Sequence, residues 1–227
     1  MAKLYIVPTP IGNLDDITIR SIKTLEEVDL ILCEDTRRSK KLLNHLNING
    51  KLRSHHKFNE HNEAEIIINK IKGGASVALI SDAGTPGISD PGFLIARTCL
   101  KNNIEIECLP GPTALIPALL VSGISADKFV FEGFLPIKKG RNKRLSNLSS
   151  ETRTMIFYES PHKLIRTLTD FKTTFGSNRR ISLSRELTKL YEETLRGTIS
   201  EIIDLCNKKK PKGEYVIVVK GIARKIK

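Results

Sequence analysis

The sequence predicts an α/β protein built as two α/β domains, residues 1–111 and 112–227, and three observations carry that reading. Short apolar runs of strand character alternate with helical stretches, the pattern of βαβ units. Three of those runs close in Pro/Gly-rich loops, at residues 8–13, 82–92 and 110–113. Charge divides the chain: residues 1–111 hold 14 basic and 14 acidic side chains, residues 112–227 hold 23 and 11, so the whole net charge of +12 lies in the second half.

Taken in order, Lys3 to Val7 is a strand by its β-branched and aromatic content, stopped by Pro8-Thr9-Pro10 and Gly12-Asn13. Ile17, Ile19, Ile22 and Leu25 recur at near-helical spacing before a strand from Val28 to Cys33. Glu34-Asp35-Thr36-Arg37 follows, with Thr36 expected to cap a helix that shows Leu42, Leu43 and Leu46 on one face. Its other face shows Arg37, Lys40 and Lys41. Phe58 to Glu63 reads as a polar loop before a helix from Ala64 to Lys72. Val77 to Ile80 is a buried strand that opens into a loop with Gly84, Gly87 and Gly92, Pro86 and Pro91, and Asp82 and Asp90. Asp90-Pro91 has the form of a helix start, a carboxylate cap followed by proline. Ile104 to Leu109 is a further strand, closed by Pro110-Gly111-Pro112-Thr113. These strands predict a largely parallel sheet, and if the three loop-bearing strands are neighbours their loops line one crevice, where open α/β sheets bind ligands. No G-x-G-x-x-G and no P-loop occurs, so the loops point to a ligand without naming it.

In the second half a helix from Ala114 to Val121 precedes a strand from Phe129 to Phe134. Residues 136–144 then form a loop holding Lys138, Lys139, Arg141, Lys143 and Arg144 with no acid, which suits backbone phosphates as well as plain solvent. A strand from Thr154 to Tyr158, a helix from Lys163 to Phe171, a strand from Arg180 to Ser184, a helix from Ile199 to Cys206 and a last strand from Glu214 to Val219 predict a mixed sheet.

No apolar run approaches the ~18 residues of a membrane span, and no signal-peptide layout opens the chain. Cys33, Cys99, Cys108 and Cys206 make no C-x-x-C pair, so free thiols in a cytoplasmic protein are expected, and no metal. A basic half beside a neutral half points to a polyanion, nucleic acid first.

LYIVPTPIGNLDDIT, CEDTR, SDAGTPGISDPG, PGPTA, FEGFLP, FYESPHKL, SRELTK and KGEYVIVV, in this order across residues 4–219, resemble the bacterial 16S ribosomal RNA (cytidine 2′-O-) methyltransferase family I, a branch of the tetrapyrrole methylase superfamily. The resemblance implies S-adenosylmethionine as methyl donor in a cleft between two α/β domains, a homodimer, and methylation of a ribose hydroxyl in the decoding region of the small ribosomal subunit. Many members of the family carry a C-terminal extension; here the chain closes on Arg224-Lys225-Ile226-Lys227.

By match to the superfamily layout, the donor is expected on the backbone of Gly84, Thr85, Pro86, Gly87, Ile88 and Ser89, with Asp82 at a polar end. Pro8, Thr113, Ala114, Phe131 and Pro161 complete that expected pocket, although Thr113 also reads as a helix cap. Methyl transfer needs alignment and exclusion of water rather than a covalent nucleophile. A ribose hydroxyl is a poor nucleophile, so a base that takes its proton late in the reaction would help. Glu34, Asp35, Glu159 and Glu186 stand at strand ends, and Glu186 is favoured because Arg185 and Lys189 beside it suit phosphates. Structural pairing of Glu186 with either cation is the alternative. For Glu34, Asp35 and Arg37, an Arg–Asp brace at the helix start is the alternative. The expected RNA contacts are Arg37, Lys138, Lys139, Arg141, Lys143, Arg144, Arg185 and Lys189. Two other functions stay open at this level: C-methylation of a tetrapyrrole precursor, and a non-catalytic RNA-binding assembly factor.

Overall fold

The computed structural model describes residues 2–223, so the basic end Arg224–Lys227 lies outside it. The chain forms two compact units, Met1–Thr113 and Ala114–Lys227.

The first unit runs β1 (Leu4–Ile6), α1 (Ile19–Glu27), β2 (Leu30–Cys33), α2 (Thr36–His45), β3 (Leu52–Ser54), α3 (Glu60–Lys72), β4 (Val77–Leu79), α4 (Phe93–Lys101) and β5 (Ile106–Cys108). All five strands are parallel, in the order β3-β2-β4-β1-β5. Side chains alternate across a strand, so each buried strand feeds two cores. Leu4, Leu32, Val77 and Leu79 pack with Ile67, Ile71, Ile95 and Cys99 of α3 and α4, whereas Ile31, Cys33 and Ala78 pack with Leu25 and Leu43 of α1 and α2. The sheet is therefore covered on both faces.

The second unit runs α5 (Leu115–Val121), β6 (Phe129–Phe134), α6 (Arg141–Leu148), β7 (Thr154–Glu159), α7 (Leu164–Phe175), β8 (Arg180–Arg185), β9 (Glu193–Thr198), α8 (Ile199–Asn207) and β10 (Tyr215–Val219). Its order is β6-β7-β10-β8-β9, with β6–β7 parallel and the other pairs antiparallel, a mixed sheet. Met155, Phe157, Ile181, Leu183, Ile217 and Val219 bury one face under α6, α7 and α8, and α5 packs over β10.

Several local expectations are corrected. Asp35, not Thr36, caps α2: its backbone is extended and its carboxylate accepts the Arg37 N–H at 2.8 Å. Helix α3 begins at Glu60, so Glu60 and Glu63 lie in its first turn, where acids suit the helix dipole. Asp90-Pro91 does not start α4; its cap is Gly92, whose φ of 146° only glycine adopts readily. The segment read as a basic loop over residues 136–144 is already helical from Arg141. Strands β3 and β9 escape the pattern because each is an edge strand with one partner and carries no apolar run. Of the cysteines, Cys33 and Cys99 are buried, and burial pushes the Cys99 thiol up to about 11.

Candidate active site

Strand order decides where the loops meet. β1 lies between β4 and β5, and because all three run parallel their Pro/Gly loops emerge at one edge. After β1 the chain leaves for α1 on one face, and after β4 it leaves for α4 on the other. The carboxyl ends of β1 and β4 therefore flank a topological switch point, the place where open α/β sheets hold ligands.

The loops are locked to one another. Thr9 and Gly84 exchange backbone hydrogen bonds at 2.9 Å in both directions. The Thr9 hydroxyl donates to Ser81 O at 3.0 Å, the Ser81 hydroxyl to Gly84 O at 3.0 Å, and the Thr85 hydroxyl to Pro112 O at 2.9 Å. Thr9, Ser81, Gly111 and Pro112 were not singled out in the sequence, since their roles need all three loops at once. A Cβ on Gly111 would sit 2.6 Å from Pro8 Cβ, closer than atoms pack. Gly111→Ala is therefore expected to push the first and third loops apart and cost about 1–3 kcal/mol, read as a lower denaturant midpoint.

Between Gly84 and Gly92 the backbone turns left-handed four times, at Gly84 (φ 82°), Gly87 (84°), Ser89 (68°) and Gly92 (146°). Interspersed left-handed glycines curl a chain into a cradle that lets its backbone come close to a ligand, and here the Gly84 N–H is taken by Thr9 O and the Ile88 N–H by Thr85 O. Ser89 is the exception by residue type, a side chain held where glycine is preferred.

Beside that cradle stand three carboxylates in different states. Asp82 accepts the Asp35 N–H at 3.2 Å and pairs with Arg38 at 3.1 Å. Asp35 holds Arg37 through two side-chain bonds, at 3.3 and 3.1 Å, and these bonds pull its carboxyl down to about 2. This is the Arg–Asp brace at the helix start. Glu34 differs: no hydrogen bond reaches its carboxylate among the described residues, and burial, reinforced by the Asp82 charge, pushes its pKa above the ordinary carboxylate value.

The favoured base is already engaged by its neighbours. Glu186 sits at φ 49°, and its Oε1 already accepts from the Glu214 N–H at 2.9 Å and from Lys189 Nζ at 3.0 Å. Burial pulls its pKa up, but these bonds outweigh burial and leave it lowered. A carboxyl lowered on folding stabilises the protein above its unfolded pKa, and that contribution is lost as pH falls through the folded value. Glu186→Gln is expected to cost about 1 kcal/mol in thermal or urea unfolding and to leave turnover near the parent level. Glu159 is also occupied: it is buried and accepts from Thr167 Oγ1 at 2.6 Å and from the Ser160 N–H at 2.8 Å.

The remaining residues sort by environment. Thr113 caps nothing, because the α5 cap is Ala114, which makes no side-chain cap bond. Phe131 packs edge-on against Tyr158 at 4.9 Å, and Pro161 lies in the turn between β7 and α7. Among the expected RNA contacts, Arg141 is only 3% exposed and bonded on three sides by protein, so it is not available to phosphate. Arg185 donates to Lys212 O, and Lys189 bridges Glu186 and Glu214. Arg37 and Arg144 are paired but keep exposed heads, while Lys138, Lys139 and Lys143 are exposed. No cluster able to hold a metal ion occurs among the described residues, and none of their helices is long and apolar enough to cross a membrane.

The fold and its switch-point loops place the chain among the tetrapyrrole methylases: the family model for Tetrapyrrole (Corrin/Porphyrin) Methylases matches residues 3–203. In fold the chain matches the uroporphyrin-III C-methyltransferase of Thermus thermophilus, solved with S-adenosyl homocysteine, at a TM-score of 0.67 and 15% identity over 96% of this chain and 97% of that one. A ribosomal RNA small subunit methyltransferase I of Thermotoga maritima is 48% identical over 97% of this chain and 99% of its own length. The protein of that name from Synechocystis is 48% identical over 97% of this chain and 80% of its own. The chain belongs to the ribosomal RNA small subunit methyltransferase I family.

Proposed function

We propose that this protein transfers the methyl group of S-adenosylmethionine to ribosomal RNA of the small subunit, at the ribose 2′-hydroxyl of a cytidine in the decoding region. The observation that carries the reading is the near-full-length 48% identity to relatives named for that reaction class. The three interlocked loops lie at the switch point, where open α/β sheets hold ligands. The left-handed turns at Gly84, Gly87, Ser89 and Gly92 fit a small donor with polar ends, because the three glycines let it approach the backbone without a side chain in the way.

When bound, the donor supplies an electrophilic methyl group on a sulfonium. The backbone from Gly84 to Ser89 holds it, with Asp82 at a polar end and Pro8 and Thr113 on the flanking loops. Gly111→Ala, by moving the first loop, is expected to weaken donor binding in calorimetry. Glu34 accepts the ribose proton: it is a strand-end carboxylate with free lone pairs and a pKa raised toward the working pH. Arg37, Lys138, Lys139, Lys143 and Arg144 contact RNA phosphates, which carries no sequence information but fixes the substrate. The protein works in the cytoplasm as a homodimer.

The test is methyl transfer from labelled S-adenosylmethionine to small ribosomal subunits lacking the modification, with naked ribosomal RNA and a precursor tetrapyrrole in parallel. Label on a ribose 2′-oxygen is expected. Label in the tetrapyrrole alone would overturn the reading, and donor binding without transfer to any acceptor would favour an assembly factor.

A further inference from the structure

The second unit carries an aromatic pair, Phe134 and Tyr158, that donor binding and phosphate contacts leave unused. Strand β6 pairs with β7 as Phe131↔Ile156, Gly133↔Phe157 and Phe134↔Tyr158, so Glu132 is an extra residue in a β-bulge. Three positions along a regular strand separate opposite faces; the extra residue cancels one alternation. Phe131 and Phe134 consequently share a face and meet the Tyr158 ring edge-on, at 4.9 and 5.7 Å. The bulge requires the left-handed backbone at Gly133, φ 61°. Tyr158 thus braces Phe134, yet Phe134 remains 56% exposed, an unusual state for a ring held in fixed orientation.

That ring borders a cavity of about 460 Å³ shared with Pro136, and with Lys143, Arg144 and Asn147 of α6. Glu132 is the single acid there, and it is neutralised by Arg144 at 2.5 Å. A braced aromatic face, an exposed lysine and an amide are the groups that hold an unpaired nucleotide. The ring stacks a base, the cation meets the phosphate, and the amide can both donate to and accept from a base edge.

We propose that this cavity seats an unpaired nucleotide of the RNA substrate, its base stacked on Phe134 and its phosphate on Lys143. The proposal rests on the reading that the substrate is RNA. A stacked site of this kind selects single-stranded or splayed-out segments, because bases inside a duplex present no free face.

The experiment measures kcat/KM on unmethylated small ribosomal subunits across a salt series for the parent, Phe134→Leu, Phe134→Tyr and Lys143→Ala. Phe134→Leu is expected to lower kcat/KM by about 5- to 100-fold through KM, with an unchanged salt slope, because stacking releases no counterions. Phe134→Tyr restores most of the loss, since a tyrosine ring stacks as well. Lys143→Ala lowers kcat/KM and flattens the salt slope by about 0.7, the signature of one phosphate on a single strand. Donor affinity by calorimetry stays constant in all three variants, which separates substrate contact from damage to the fold. An active parent with Phe134→Leu within about twofold of it, or with tyrosine no better than leucine, overturns the stacking site. A parent that methylates no RNA fails earlier, at the proposed function itself.

Discussion

Glu34→Gln is expected to cut methyl transfer by about a hundred- to ten-thousandfold while donor affinity stays intact, the loss typical of removing a general base. The expectation follows from how the strand-end carboxylates are engaged. Asp35 is tied to Arg37 and strongly acidic, Asp82 is paired with Arg38, and Glu186 and Glu159 already accept two hydrogen bonds each. Glu34 has its lone pairs free and a pKa raised by burial and then by the Asp82 charge. Two signs follow. As a base, Glu34 must be ionised, so kcat falls as pH drops through its folded pKa, on the alkaline side of where an ordinary carboxylate would titrate. For stability the sign is opposite. A carboxyl whose pKa rises on folding destabilises the folded state when charged, so Glu34→Gln is expected to raise the melting temperature at neutral pH while abolishing turnover. Full activity in Glu34→Gln, or an unchanged acid limb in a residual rate, would remove Glu34 from the reaction.

Arg141→Ala is expected to cost about 1.5–3 kcal/mol of folding stability, the range for losing hydrogen bonds from a charged donor. Arg141 is 3% exposed and donates to Asp170 at 2.7 Å, Thr167 at 2.8 Å and Pro136 O at 3.2 Å. Thr167 in turn donates to Glu159 at 2.6 Å, so one guanidinium ties α6 to α7 and, through Thr167, to the end of β7. Removing it takes the charged donor away from Asp170, from buried Thr167 and from Pro136 O. Asp170→Asn should cost less, because the Asp170 side chain is about a third exposed and water can replace the lost partner. The measurement is the urea midpoint of each variant. A normal midpoint with weakened RNA binding would return Arg141 to the surface role its neighbours in sequence suggest.

The contrast between Arg141 and Lys143 marks what sequence could resolve. Five cations within seven residues read as one basic loop, because composition carries no direction. Once Gly140, at φ 86°, starts a helix at Arg141, the 3.6-residue period turns Arg141, Leu145 and Leu148 inward and leaves Lys143 and Arg144 outside. Glu186 follows the same logic. Its neighbours Arg185 and Lys189 suggest a phosphate site, but the antiparallel pairing of β8 with β10 brings Glu214 against it from 28 residues away.

By itself the sequence determined the fold class, the alternation of strands and helices, the three loops that carry the donor reading, and the eight ordered motifs that point to the family. These are local properties: hydrophobic period, proline and glycine at strand ends, and charge counted along the chain. Tertiary structure alone decided that β1 lies between β4 and β5, so that the three loops interlock. It also decided which carboxylate is left free and which rings a single bulge turns to one face. Each of these depends on residues far apart in the chain being brought together. Hydrogen-bond satisfaction and burial act on such neighbours in space, whatever their distance in sequence.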